Sequence, residues 1–166
     1  MKFTKTTGMT ALAAGGLGLI ALITASTHAP AQEPTVIELT QTGCQFVEAE
    51  MGMDHKYSPK TAADCKTINT QTGAKRAQEA TVLKLKPGKY VFRVTNKNVP
   101  YQLGFWLREK GYQSGNPLHK LNKISVSGGG LTLGKSRNYE VELKPGEYVY
   151  SCPLNPTPDY KIQVSL

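Results

Sequence analysis

Glu140-Val-Glu-Leu-Lys-Pro-Gly-Glu-Tyr-Val-Tyr-Ser-Cys-Pro-Leu-Asn-Pro-Thr-Pro-Asp-Tyr-Lys-Ile-Gln-Val-Ser-Leu166 closes the chain. Apolar and polar residues alternate up to Leu143, Pro145-Gly146 supplies a turn, and a second strand runs from Tyr148 to Cys152. A proline-stiffened loop then leads into a last strand, Lys161 to Leu166. The same solution occurs upstream. Leu83-Lys-Leu-Lys-Pro-Gly-Lys-Tyr-Val91 matches Val141-Glu-Leu-Lys-Pro-Gly-Glu-Tyr-Val149, with Leu-Lys-Pro-Gly-x-Tyr-Val in common. In each copy Leu ends a strand, Pro-Gly turns the chain and Tyr opens the next strand. A tyrosine just past such a crossing can bond its hydroxyl back to the main chain, as at the corners of Greek-key sandwiches. Two such turns predict an all-β, two-sheet Greek-key sandwich.

The strand signals are dense from Ala80 onward. Val82 to Lys86, Tyr90 to Asn96, Tyr101 to Arg108 and Ser136 to Leu143 all suit strands. Val36 to Thr40 reads as a first strand, which Cys44 to Val47 continues after a bend at Gly43. Glu109 to Gly134 is rich in Gly, Ser and Asn and is expected to hold one or two irregular strands, with Gly128-Gly129-Gly130 as a hinge or bulge. Residues 50–80 differ in composition and read as an insertion. Within it Ser58-Pro59 resembles an N-cap followed by proline at the first helical position. A short helix is expected near residues 58–72, with Ala62, Ala63, Cys65 and Ile68 on one face and an end before Gly73.

The chain has 166 residues, enough for one domain. A basic start at Met1 to Lys5, an apolar stretch from Ala11 to Ala25 and Ala29-Pro30-Ala31 read as a signal peptide spanning residues 1–31. A retained membrane anchor is the alternative, but the stretch is short for one and is interrupted by Gly15, Gly16 and Gly18. The domain would then span 32–166 in the periplasm or outside the cell. Loss of Lys2 and Lys5 lowers the formal charge from +8 to +6. The basic residues are scattered along strand faces and turns, which argues against nucleic acid. An acidic protein partner or an anionic membrane surface is the weaker implication; oligomeric state is not legible. Three cysteines in an oxidising compartment leave one unpaired or metal-bound. No Ser-His-Asp spacing, paired-carboxylate motif or phosphate loop is present, so no enzyme is indicated.

Three stretches resemble the cupredoxin family. Tyr90-Val-Phe-Arg-Val-Thr-Asn96 resembles the strand before that family's first ligand loop. Val99-Pro-Tyr-Gln-Leu103 stands where the family reads Pro-His, and Pro145 to Cys152 resembles the strand that delivers the copper cysteine. An immunoglobulin-like sandwich is the alternative, because Tyr150-Ser151-Cys152 also fits that fold's Tyr-x-Cys. An unpaired Cys152 and the position of Trp106 count against it. The cupredoxin resemblance implies a type 1 copper centre, which needs two imidazoles and a thiolate with a weak axial ligand, often Met. Here the two histidine positions hold Tyr101 and Asn155, so the implied site is degenerate and retains only Cys152. The resemblance also offers a precedent for a disulfide near the N-terminus, for which Cys44 and Cys65 are the candidates. The rival arrangement joins one of them to Met51, Met53 and His55 as a metal cluster.

Those last three residues are the remaining copper candidates. Met51-Gly-Met-Asp-His55 places two thioethers and an imidazole close together, and soft thioethers favour Cu(I). Glu48, Glu50 and Asp54 could add oxygen donors, and Cys152 could complete the set. The opposing expectation is an exposed turn whose two methionines pack on the sandwich edge. His119, beside Lys120, reads as a surface loop residue. Three functions follow: an exported copper-binding or trafficking protein; a metal-free binding or accessory module using a surface of Tyr101, Phe105, Trp106 and Tyr160; or an electron carrier with unusual copper ligands.

Overall fold

The computed structural model describes residues 33–166. The expected signal peptide, 1–31, lies outside the described residues. Among the described residues nine strands form two sheets. One has the order β2-β1-β4-β7, from Gln45–Phe46 (β2), Thr35–Thr42 (β1), Gly88–Asn96 (β4) and Ser136–Leu143 (β7). The other has the order β3-β9-β8-β5-β6, from Leu83–Leu85 (β3), Tyr160–Val164 (β9), Gly146–Ser151 (β8), Leu103–Glu109 (β5) and Ser125–Leu131 (β6). β1 runs parallel to β4 and β3 parallel to β9, while the remaining pairs are antiparallel. The expected two-sheet Greek-key sandwich is therefore the observed fold.

The alternation read from sequence positions the core. Leu39, Phe92, Val94, Tyr139 and Leu143 from the first sheet meet Phe105, Leu107, Tyr148, Tyr150 and Ile162 from the second. Phe46 sits at the centre of the aromatic packing and meets Phe105, Tyr150 and Tyr160 edge-on, with ring centroids 5.3–6.0 Å apart. Both Pro-Gly turns behave alike. Tyr90 donates its hydroxyl to Lys86 O at 2.8 Å, and Tyr148 donates to Lys144 O at 2.9 Å. The glycines that open these strands, Gly88 and Gly146, have φ of +155° and +156°, which favours glycine.

The Gly128–Gly130 run lies within β6, where the β5–β6 register shifts between Leu103 and Phe105. A Cβ on Gly104 would come within 2.8 Å of Gly128 O, so this crossing of the two strands requires a glycine. Sequence reading overlooked a short helix, α2 (Pro117–Asn122), in this region. Its signal is nonetheless present: Asn116 accepts from Leu118 N at 3.0 Å as N-cap, and Pro117 follows at the first helical position.

The insertion is more helical than expected. α1 runs Ala62–Glu79, starting later and ending later than 58–72. It starts at Thr61 because the Asp64 carboxylate accepts from the amides of Lys60 and Thr61 at 2.8 and 2.9 Å, closing a capping box. It passes through Gly73 because Ala74 to Glu79 are good helix formers and Arg76 is anchored underneath. The buried face is also different. Cys65, Gly73 and Arg76 are buried, with Asn69 half-buried between them, whereas Ala63 is exposed. Spacings of four, four and three put those residues on one helical face. That face is small and polar, so no apolar stripe revealed it. Among the described residues no helix is long and apolar enough to cross a membrane.

Candidate functional site

Cys152 lies just beyond β8 and is 1% exposed. Its sulfur accepts from the amide of Asn155 at 3.2 Å and that of Gly104 at 3.4 Å. Burial pushes the Cys152 thiol up, and the amides of Gly104, Asn155 and Leu154 only partly offset it. The Cys152–Asp159 loop is held from several sides. Thr157 accepts from the Cys152 amide at 3.1 Å, and Asn69 of α1 donates to Pro156 O.

Tyr101 and Asn155 do come together beside Cys152. The Tyr101 hydroxyl donates to Asn155 Oδ1 at 3.0 Å. The same oxygen accepts from Cys44 N at 3.0 Å and lies 3.0 Å from Cys65 Sγ, while Asn155 Nδ2 donates to Thr42 O at 2.9 Å. Cys44 and Cys65 form the expected disulfide, so the Cys65 sulfur carries no proton. The rival metal cluster using either of these sulfurs is thereby overturned. All three cysteines converge on one asparagine, although Cys152 is far from the other two in sequence.

The residues around Cys152 do not fit a type 1 copper centre. That centre requires two imidazoles, and the side chains bonded together beside Cys152 are a phenol and a carboxamide. Burial, and then the neighbouring Cys152, push the Tyr101 phenol up to about 12, and its hydroxyl is a donor to Asn155. Among the described residues no group of three or more His, Cys, Asp or Glu side chains is arranged to hold a metal.

Met51, Met53 and His55 lie elsewhere. They line a separate small cleft of about 70 Å³ together with Glu50, Arg76, Glu79 and Ala80; Cys152 is not part of its wall. The Cys152 thiol is instead buried under its own loop. A 3₁₀ turn, Glu48–Glu50, precedes the segment, and Met51 and Gly52 then adopt φ of +56° and +78°. This turn throws the methionines outward, leaving Met51 72% and Met53 54% exposed. The expectation that they pack on the sandwich edge is incorrect. Gln45 fixes the segment behind them, donating to Met53 O at 2.6 Å and accepting from His55 N at 3.0 Å. His55 Nε2 lies 2.6 Å from Glu50 Oε2, and its ring stacks on Tyr57.

Of the other oxygen donors considered, Glu48 accepts from Thr40 N, and Asp54 from Lys56 N and the Thr42 hydroxyl. Glu50 is paired with Arg76 at 2.6 Å and accepts from the Tyr160 hydroxyl. His119 belongs to α2 and accepts from Gln113 N at 3.0 Å. The aromatic contact surface also needs correction. Phe105 and Tyr160 are 1% and 0% exposed, because both point into the core. Trp106 is partly exposed on the outer face of its sheet, under the Arg108 guanidinium at 4.0 Å.

No family profile and no curated protein matches the sequence. Among solved structures, the chain is similar to auracyanin B at 14% identity, covering 82% of this chain and 93% of that one with a TM-score of 0.49. It is also similar to dithionite-reduced auracyanin from the photosynthetic bacterium Roseiflexus castenholzii, at 14% identity over 81% and 100% of the two chains and a TM-score of 0.46. A third is auracyanin A, a blue copper protein of Chloroflexus aurantiacus, at 16% identity over 80% and 100% with a TM-score of 0.44. Each is a likeness of fold alone, at low identity.

Proposed function

We propose that this chain is an exported, non-enzymatic copper-handling protein that takes up Cu(I) on the Met51–Met53–His55 ledge and does not work as an ordinary blue-copper electron carrier. The observation that carries this reading is the presentation of two thioethers to solvent beside an anchored imidazole. Solvent-facing methionines gain little from burial, whereas their thioethers are soft donors suited to Cu(I). Glu50, on Nε2 of His55, holds the ring as carboxylates hold metal-binding histidines, and leaves Nδ1 as the atom that would meet a metal. A Cys44–Cys65 disulfide is consistent with export into an oxidising compartment.

The test is a Cu(I) titration of the purified protein against a competing chelator. Uptake of one Cu(I) per chain is expected, weakened by at least about tenfold in Met51→Ala/Met53→Ala and in His55→Ala. Absence of Cu(I) uptake at micromolar metal would sink this reading. It would leave the second one, a metal-free binding or accessory module, which the protonated and hydrogen-bonded surroundings of Cys152 favour.

A further inference from the structure

We infer that the centre where a cupredoxin-like fold would seat a metal is closed in this chain by the side chain of Asn155, which ties the loops together in place of a metal and seals the Cys152 thiol from solvent. Asn155 is fully buried, and its amide group joins the β1–β2 bend and the Tyr101 loop to its own loop. Through Nδ2 it holds Thr42 O at the end of β1, and through Oδ1 it holds Cys44 N and the Tyr101 hydroxyl. Its own amide reaches the Cys152 sulfur. A metal bound by residues of these same loops would cross-link them in the same way. Here a neutral carboxamide bonds through both its donor and its acceptor side, so no buried charge is left for a cation to neutralise.

Three further features lock the closure. The Cys44–Cys65 disulfide fixes Cys44 N where Oδ1 accepts from it. Asn69 on α1 grips the loop at Pro156 O, and Arg76 Nη1 in turn donates to Asn69 Oδ1 at 2.8 Å. Gly43, beside Cys44, has no room for a Cβ against Tyr57 O and the Pro59 ring, so the β1–β2 bend packs closely on the segment leading into α1. The helical insertion and the carboxamide thus close the same end of the sandwich, and the thiol beneath them has no partner to react with.

Accessibility of Cys152 to dithionitrobenzoate tests this. The thiol of the native wild-type protein is expected to react at least roughly a hundredfold more slowly than in urea, because reaction requires opening of the loop. Asn155→Ala, folded by circular dichroism, is expected to accelerate the native-state reaction by roughly tenfold or more, since it deletes several buried bonds at once. Tyr101→Phe removes a single one of these bonds and is the variant to rely on if Asn155→Ala does not fold; it is expected to accelerate the reaction by about two- to fivefold. Cu(II) added to the Met51→Ala/Met53→Ala/His55→Ala protein is expected to produce no intense thiolate-to-copper absorption. A native thiol as reactive as the unfolded one would overturn the inference. So would an unchanged rate in Tyr101→Phe, or a visible copper–thiolate band lost on Cys152→Ser. The copper arm uses a chain without the exposed ledge, so failure of this inference stays separable from failure of the Cu(I) reading.

Discussion

Glu50 is the residue on which the charged interior turns. It is 6% exposed and accepts from Arg76 Nε and Nη2, from the Tyr160 hydroxyl and, through Oε2, meets His55. Burial by itself would raise its carboxyl, but the bonds from Arg76, Tyr160 and His55 outweigh that and hold it below its ordinary 4.5. Glu50→Gln leaves Arg76 buried without a counter-charge and is expected to cost about 3 kcal/mol in urea unfolding at neutral pH. The sign of its pH dependence follows from the lowered pKa. The contribution of Glu50 is complete above about pH 4.5 and is lost as pH falls through the folded value, so wild type and Glu50→Gln should converge in stability on acidification. A gap that stays constant from pH 7 to strongly acid conditions would contradict this assignment. Sequence inspection placed Glu50 only among possible metal donors, because its true partner, Arg76, lies at the far end of a helix and shows no pairing signal.

At the scale of elements, the two Pro-Gly corners were legible and α1 was only half so. The corners are local: proline, glycine and tyrosine within a few residues determine the turn, the φ and the hydroxyl bond. Tyr90→Phe and Tyr148→Phe are each expected to lose about 1 kcal/mol, and the double variant about the sum, because the two hydroxyls bond separate partners, Lys86 O and Lys144 O. Chemical denaturation of the three variants would show this, and strong non-additivity would mean that the corners are coupled through the core. The start of α1 was partly visible in Thr61 and Asp64. Its end was not, because Gly73 in a sequence suggests a stop, whereas the folded helix runs through it and buries it beside Asn69.

For the molecule as a whole, the disulfide is the long-range tie between α1 and the sandwich. It spans 21 residues from Cys44 to Cys65, for which loop-closure entropy suggests about 3 kcal/mol. Cys44→Ala/Cys65→Ala is therefore expected to unfold at lower urea concentration by about that free energy, and to raise the reactivity of Cys152, since Asn155 loses the fixed position of Cys44. An unchanged Cys152 reactivity in this variant would show that the carboxamide holds without the bridge.

The sequence by itself determined the sandwich. Strand alternation, the twin Leu-Lys-Pro-Gly-x-Tyr-Val turns and the arrival of Cys152 at the end of its strand are all patterns of near neighbours. It also showed that residues 101 and 155 are a tyrosine and an asparagine, since that is a matter of residue identity. Only the tertiary structure decided what these side chains do. The bond between Tyr101 and Asn155, the convergence of three cysteines on one asparagine, the outward turn of Met51 and Met53 and the burial of Phe105 and Tyr160 depend on segments far apart in the chain. Whether a polar side chain binds, packs or faces solvent is set by the neighbours that folding brings to it, and no local period encodes those neighbours.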